Sequence, residues 1–391
     1  MIPVSEAIEK ILALLSPLPG EQVALADAAG RILRKDAVAR RSQPPFPSSA
    51  MDGYAVPAEE AEPGAMFRVI GESAAGHRFA GHVGPGQAVR IFTGAPVPEG
   101  AGRVVIQEDV SRRGDVITIG PDPADSDFIR PAGCDFAAGD ALRAPRRLTP
   151  ADIALLAAMN LPEVTVSRCP EVALLATGDE LVMPGQEPGP DQIIASNNFG
   201  LKALLEGAGA RVRMLPIAHD SRAALEAAFA SAAGADLLVT IGGASVGDHD
   251  LVGQVAGDMG LERAFYKVRM RPGKPLIAGR LGGMPMIGLP GNPVSSMVCG
   301  HVFLLPAIEA MLGLGTRPRM RRRAPLGVDL PANGPREHYM RATFAANGTI
   351  APMPHQDSSL LSVLANAKAL LVRPPEEGPR RAGEMVDYIP L

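Results

Sequence analysis

Asp236-Leu-Leu-Val-Thr-Ile-Gly-Gly-Ala-Ser-Val-Gly-Asp-His-Asp250 opens the stretch whose reading decides the fold. Arg269-Met-Arg-Pro-Gly-Lys-Pro275 follows, and Ile287-Gly-Leu-Pro-Gly-Asn-Pro-Val-Ser295 closes it. An apolar run leads into the first and third segments, and a glycine-rich turn ends each. A buried parallel strand followed by a loop and a helix has this pattern. Glycines let the backbone approach a ligand, and helix N-termini offer N–H groups to anions. Arg269, Arg271 and Lys274 put positive charge between the two turns, with Asp248 and Asp250 beside it. The combination suits a phosphate-bearing ligand and a divalent cation.

The same alternation extends on both sides. Val172–Ala176 reads as a strand ending in Thr177-Gly-Asp-Glu180, and Asn197 to Gly207 as a helix. Val212–Ile217 is a strand ending in His219-Asp220, and a helix capped by Ser221 runs to Ala233. Strand and helix in turn predict a parallel sheet with helices on both faces. Ligands on such sheets bind beyond the carboxyl ends of the strands. Thr177–Glu180, Asp220, the Gly242 turn and the Gly291 turn all fall there. Asn292-Pro293 then starts a long apolar helix to about Leu312.

The flanks read differently. Residues 1 to about 45 suggest two helices, one capped by Ser5 and one over Ala24–Leu33. Gln43 to Val56 is extended and proline-stiffened, and by its residues alone reads as a linker rather than a loop presenting Ser48, Ser49 and Asp52. Residues 56 to about 140 carry short strands separated by Gly, Pro and Asp. There the Thr93 hydroxyl sits at a strand edge, and Arg130 and Asp135 read as a surface pair. Thr149-Pro150 starts a helix. Arg317–Arg323 is a solvated basic run, and residues 324–391 form a small β domain. Arg341 and Ser358 read there as a surface arginine and a turn serine.

Composition bounds the rest. The chain has 391 residues, 46% hydrophobic and 20% charged, which suits a globular protein of several domains. A formal net charge of −4 argues against general nucleic-acid binding. Cys134, Cys169 and Cys299 lack metal-ligand spacing, and their odd number argues for a reducing, cytoplasmic setting. Neither a signal segment nor an apolar run long enough to span a membrane is expected.

Together these motifs resemble the molybdopterin molybdenumtransferases, the family of MoeA and the gephyrin E domain. Ser49-Ala-Met-Asp-Gly-Tyr-Ala-Val56, Ile91-Phe-Thr-Gly-Ala-Pro-Val-Pro98, Ile129-Arg-Pro-Ala-Gly133 with Asp135, and Thr177-Gly-Asp-Glu-Leu181 carry the likeness. So do Gly242–Asp248 with Asp250, Pro272-Gly-Lys-Pro275 and Gly288–Ser295. The order is kept over nearly the whole chain. Arg103, Cys134 and Arg271 depart from common family residues.

The resemblance implies an N-terminal linker domain (residues 1–50 and 141–168) carrying an inserted β domain (51–140). A doubly wound parallel α/β molybdopterin-binding domain (169–318) and a C-terminal β barrel (319–391) follow. It implies a homodimer that inserts molybdate into adenylylated molybdopterin with Mg²⁺-dependent release of AMP. Asp52, Thr93, Glu180, Asp220 and Asp250 would be catalytic, with Asp220 and Asp250 on the metal. Arg130, Asp135, Ser245, Arg271, Lys274, Pro275, Pro290, Gly291, Asn292, Ser295, Arg341 and Ser358 would bind substrate, the Arg341–Ser358 pair at its molybdate end. The adenylyltransferase that makes the substrate and the recipient molybdoenzymes are the implied partners. Two alternatives stand beside this reading: an enzyme acting on a nucleotide pyrophosphate, as CinA-like proteins do, and a non-catalytic scaffold.

Overall fold

The computed structural model describes residues 1–243 and 251–391. Two compact units divide the chain. One comprises residues 1–21, 30–34 and 166–391, the other residues 22–29 and 35–165.

The larger unit is built on six strands: β1 (Glu171–Ala176), β2 (Arg211–Met214), β3 (Leu237–Ile241), β4 (Glu262–Tyr266), β5 (Ile277–Leu281) and β6 (Met284–Leu289). Their order is β2-β1-β3-β6-β5-β4. The first four pair in parallel, with Val172 opposite Leu237 and Leu238 opposite Met286. β5 runs antiparallel to both its neighbours, so the sheet is mixed rather than wholly parallel. The cause is the two-glycine hairpin Gly282-Gly283, both at positive φ, which returns the chain at once.

Helices cover both faces. α1 (Asn197–Ala208) and the Pro293–Met311 helix pack with Val172, Leu174, Val239 and Ile287. α2 (Arg222–Ser231) and α3 (Leu251–Asp258) pack on the other face with Ala173, Leu175 and Leu238. Ser221 caps α2 by accepting the Ala224 N–H at 3.3 Å.

The Pro293–Met311 helix is long and apolar enough to cross a membrane by length and composition, contrary to the sequence expectation. Some 83% of its most apolar stretch is buried inside this unit, where an all-round apolar helix belongs. Residues 300–304 make a π turn just before Pro306. A proline inside a helix removes one N–H, and the wider turn absorbs the missing bond.

The C-terminal strands Arg322–Pro325, Glu337–Phe344, Ile350–Pro352, Ala369–Arg373 and Met385–Pro390 form a second sheet, joined by Met270–Arg271 at one edge. A bridge between Leu326, just after Arg322–Pro325, and Ile350 joins that edge strand to Ile350–Pro352 and closes the ring. The N-terminal helix begins at Val4 with Pro3 before it, not at a Ser5 cap. The Ala24–Leu33 helix is absent. Leu25–Asp27 is one 3₁₀ turn and Ile32–Leu33 a strand, since Gly30 at φ +76° breaks the pattern.

In the smaller unit the strands run in the order Arg103–Ile106, Gly53–Val56, Gln87–Ile91, Met66–Ser73, Val116–Ile119, Val110–Arg113. Gly53–Val56 is wholly buried at the sheet centre, and Ser48–Ser49 is a buried strand paired with Ile129–Arg130. The stretch from 43 to 56 is therefore not a linker. A Cβ at Gly53 would stand 2.0 Å from the Val105 carbonyl oxygen, so the pairing there admits only glycine. Tyr54, Phe67, Val105 and Ile117 fill this unit's core.

Phe303 is 1% exposed in the core of the larger unit. Phe303→Ala should destabilise that unit by about 3–5 kcal/mol. Urea unfolding followed by circular dichroism checks this, and a loss below about 1 kcal/mol would contradict the core position.

Candidate functional site

Four strand-end turns of the larger unit are knit together by backbone bonds that prolong the parallel ladders. Thr177 N–H donates to Ile241 at 3.0 Å, Gly178 N–H to Ala218 at 3.1 Å, and Gly242 N–H to Leu289 at 3.1 Å. A Cβ on Gly242 would lie 2.6 Å from the Thr177 carbonyl, and one on Gly291 3.5 Å from the Gly242 Cα. The Thr177 and Gly242 turns thus meet backbone to backbone, and a side chain on Gly242 would force them apart. The Asn197 amide at the start of α1 donates to the Gly291 carbonyl at 2.7 Å. Thr177, Glu180, Asn197, Gly242 and Gly291 line one cleft.

Glu180 and Asp220 are both exposed at this edge. One oxygen of Asp179 ties their turns together, meeting His219 Nδ1 at 2.8 Å and accepting the Asp220 N–H at 3.2 Å. These bonds, His219 first, hold the Asp179 carboxyl below the usual carboxylate range. Sequence spacing gives no sign of this pairing, because the partners lie on different strands. Asn197 carried a signal, the Ser-Asn-Asn run before an apolar period, but it reads only as a helix start. Ser245 and Asp250 lie outside the described residues. Among the described residues no three His, Cys, Asp or Glu side chains stand close enough to hold a metal ion. Asp220 alone of the expected ligands is therefore placed.

Pro290 is buried, Gly291 and Asn292 are exposed, and Ser295 is buried in the helix that follows. The Val294 N–H in its first turn donates to the Ser358 carbonyl at 3.0 Å, so the Ser358 loop sits on this helix start. Arg341, expected at the surface, is fully buried. Its Nη2 donates to the Asp357 carbonyl at 2.8 Å and the His355 carbonyl at 3.4 Å. Its Nε and Nη1 have no partner among the described residues. Burial leaves its pKa lowered despite the opposing pull of the Asp357 carboxylate, with a smaller contribution from Arg271. Arg271 is exposed at the strand edge opposite His338, and Lys274 and Pro275 are half-buried behind it. Gly273 packs this loop on the helix, since a Cβ there would meet Cys299 Sγ at 2.7 Å. Burial, followed by Arg271 and Arg341, pushes the His338 pKa down to about 4, so its imidazole is neutral near pH 7. A buried guanidinium with open donors in cationic surroundings is suited to an oxyanion.

The smaller unit carries its own cluster. Asp52 Oδ1 accepts from both the Thr93 N–H and the Thr93 hydroxyl, each at 2.7 Å. Arg90 is held between the rings of Tyr54 and Phe92, at 5.1 and 4.7 Å, and donates to the Gly53 carbonyl at 3.1 Å. Thr93's backbone N–H first, its hydroxyl next and Arg90 by charge lower the Asp52 pKa. Ser49 N–H donates to Ala95 and Gly94 N–H to Ser49, which brings the Asp52 and Thr93 segments side by side. Arg130 and Asp135 are exposed, and no ion pair joins them among the described residues. Asp135 instead donates its N–H to the Gln43 carbonyl at 3.0 Å.

The Asp52 bonds favour the carboxylate, so their stabilisation is present above the unfolded carboxyl pKa and is lost as pH falls through the lowered folded value. Thr93→Val removes one donor and keeps the N–H. The Asp52 titration should move up towards, without reaching, the ordinary range. Carboxyl-carbon NMR reads this directly, and an unchanged titration would mean that the hydroxyl does not hold the charge.

Known proteins place these clusters in a family. The profile of the MoeA N-terminal region (domain I and II) matches residues 2–160, that of the probable molybdopterin binding domain residues 173–310, and that of the MoeA C-terminal region (domain IV) residues 323–391. A molybdopterin molybdenumtransferase of Haemophilus influenzae is 34% identical, over 100% of this chain and 99% of its own. Molybdopterin molybdenumtransferase 2 of Mycobacterium tuberculosis is 37% identical over 89% of each. A crystal structure of the molybdopterin biosynthesis MoeA protein of Pyrococcus horikoshii superposes with a TM-score of 0.86 at 26% identity, over 100% of both chains. With the strand-end cleft, the Asp52–Thr93 pair and the buried Arg341 in the corresponding segments, the chain belongs to the molybdopterin molybdenumtransferase family, transferases of molybdenum cofactor biosynthesis.

Proposed function

We propose that the protein inserts molybdate into adenylylated molybdopterin and releases AMP. The observation that carries this reading is Arg341. It is a fully buried guanidinium with Nε and Nη1 unpartnered among the described residues, next to a loop seated on the helix that follows Pro290-Gly-Asn-Pro293. Leaving such donors unmet is costly, and a tetrahedral oxyanion meets them with charge-assisted bonds. Arg341 and Ser358 then hold the molybdate end, with Arg271, Lys274, Pro275, Pro290, Gly291, Asn292 and Ser295 along the substrate. Ser245, Arg130 and Asp135 complete the proposed substrate-binding set.

The chain's acids supply the proton chemistry. As water adds to the pterin-side phosphorus of the phosphoanhydride, the bond from that phosphorus to the bridging oxygen breaks, AMP leaves with that oxygen, and a strand-end carboxylate takes the water's proton. Glu180 and Asp220 are the described candidates. Asp52, kept ionised by Thr93, completes the catalytic set with Asp250. The described residues alone do not complete a Mg²⁺ site. The ion, if held by Asp220 and Asp250, withdraws charge from the phosphates, and no step above depends on it.

The four-part domain division, the homodimer, the cytoplasmic setting and exchange with the adenylyltransferase and recipient enzymes complete the proposal. A monomer by light scattering, fully active at the same concentration, would refute the dimer. AMP release from adenylylated molybdopterin tests the reaction itself. Arg341→Ala should raise the molybdate concentration for half-maximal turnover at least about tenfold, from one lost charged hydrogen bond of about 1.5–3 kcal/mol. Binding of the adenylylated pterin should change little. Collapse of pterin binding with an unchanged molybdate response would move Arg341 to the other end of the site.

A further inference from the structure

Thr93 holds the Asp52 carboxylate, but the backbone beneath that carboxylate is gripped by other residues. The Asp52 carbonyl accepts the Gln107 N–H at 3.1 Å, and the Gly53 carbonyl accepts from Arg90 Nη1 at 3.1 Å. Gly53 pairs with Ile91 on one side and with Ile106 on the other, so Arg90 and Gln107 each stand one residue from those partners. Arg90 Nη2 then donates to Gln107 Oε1 at 2.7 Å. The two flanking strands are thus tied to each other across the start of the Gly53–Val56 strand, at the point where Asp52 leaves it. Neither side chain bonds the Asp52 carboxylate itself, whose two donors both come from Thr93.

The partners that hold Arg90 are all uncharged. Gln107 Nε2 donates to Glu108 Oε1 at 3.1 Å, which leaves its amide oxygen for the guanidinium. The rings of Tyr54 and Phe92 and the Gly53 carbonyl supply the other contacts. Glu72 stands opposite Arg90 in the neighbouring strand, yet among the described residues no ion pair joins Arg90 to it or to any other carboxylate. A carboxylate in place of the Gln107 amide would fix the guanidinium equally well, but it would cancel the charge. A neutral acceptor fixes the group and leaves its field acting on Asp52.

We propose that Gln107 and Arg90 are positioning residues for Asp52. Gln107 fixes the guanidinium, and the guanidinium and the Gln107 N–H together fix the Asp52–Gly53 backbone. The unpaired positive charge beside the carboxylate keeps it ionised. Both residues act through Asp52 and neither touches the reacting atoms. Small errors in the placement of a reacting group cost large factors in rate, so a bracket of this kind acts on turnover more than on binding. The proposal rests on the catalytic role of Asp52.

The test measures AMP release from adenylylated molybdopterin and, by carboxyl-carbon NMR, the Asp52 titration, both in the full-length chain. Gln107 is exposed, so Gln107→Leu should melt like the parent. Its kcat should fall about ten- to a hundredfold with little change in KM. Arg90→Lys keeps the charge and loses the planar fork. It should leave the Asp52 titration close to the parent's and still lower kcat, which separates placement from charge. Gln107→Glu keeps an acceptor but pairs the guanidinium, and should move the Asp52 titration upward. Full kcat in Gln107→Leu and Arg90→Lys would overturn the proposal, as would a rise in KM alone or a Gln107→Glu titration at the parent position. Asp52→Asn is the control. If it releases AMP as fast as the parent, the catalytic role of Asp52 falls and the proposal with it. If it is inactive while Arg90→Lys is fully active, the positioning role alone falls.

Discussion

The backbone contact between strand-end turns is the constraint on which the larger unit's chemistry depends. Three hydrogen bonds carry the parallel pairing beyond the strands, and the Gly242 and Gly291 turns then touch through main-chain atoms. Packing against Thr177 leaves no room for a side chain on Gly242. It forces the polar groups that serve a ligand onto the flanks, at Thr177, Glu180, Asn197 and Asp220. It also makes the cleft rigid, because its floor is an extension of the sheet and not a loop. Rigid placement of donors is what an electrostatic site needs.

The second sheet contributes by burial. Arg341 stands on the strand Glu337–Phe344, opposite Leu370, and its guanidinium is buried while two of its nitrogens lack acceptors among the described residues. Arg271, on a short strand that joins this sheet from the α/β part of the chain, adds like charge close by. Two nearby cations raise their common affinity for an anion. The smaller unit solves a related problem with neutral donors. Asp52 keeps its charge through Thr93, and Arg90 is immobilised between two rings, so the carboxylate is ionised and fixed without a buried ion pair.

Much of this was legible in the sequence. Strand–helix alternation from Val172 onward located the sheet, the helices on both faces and the convergence of Thr177–Glu180, Asp220, Gly242 and Gly291. The residues also gave the Thr149 and Ser221 caps. What escaped was set by distant partners. Gly53–Val56 looked like linker because its β-sheet neighbours, Gln87–Ile91 and Arg103–Ile106, are far along the chain. Arg341 looked like a surface residue because no local pattern announces a buried arginine. The Asp179–His219 contact joins two turns on different strands. The Ala24–Leu33 helix failed because helical spacing outvoted Gly30 in the reading, whereas the backbone obeyed the glycine.

The π turn in the Pro293–Met311 helix has a geometric effect on the site. A helix rotates by about 100° per residue, so one residue accommodated in a wide turn changes the phase between its two ends. The C-terminal half is fixed by Ala307, Ile308 and Met311 in the core, and the N-terminal half carries Pro293 and Ser295 and supports the Ser358 loop. The wide turn at Gly300–Leu304 thus acts as an angular spacer that aims the helix start at the cleft while the far end stays seated. Were the same residues to wind as a regular helix, its N-terminal end would turn aside by more than a quarter of a revolution, with every side chain at the site still present.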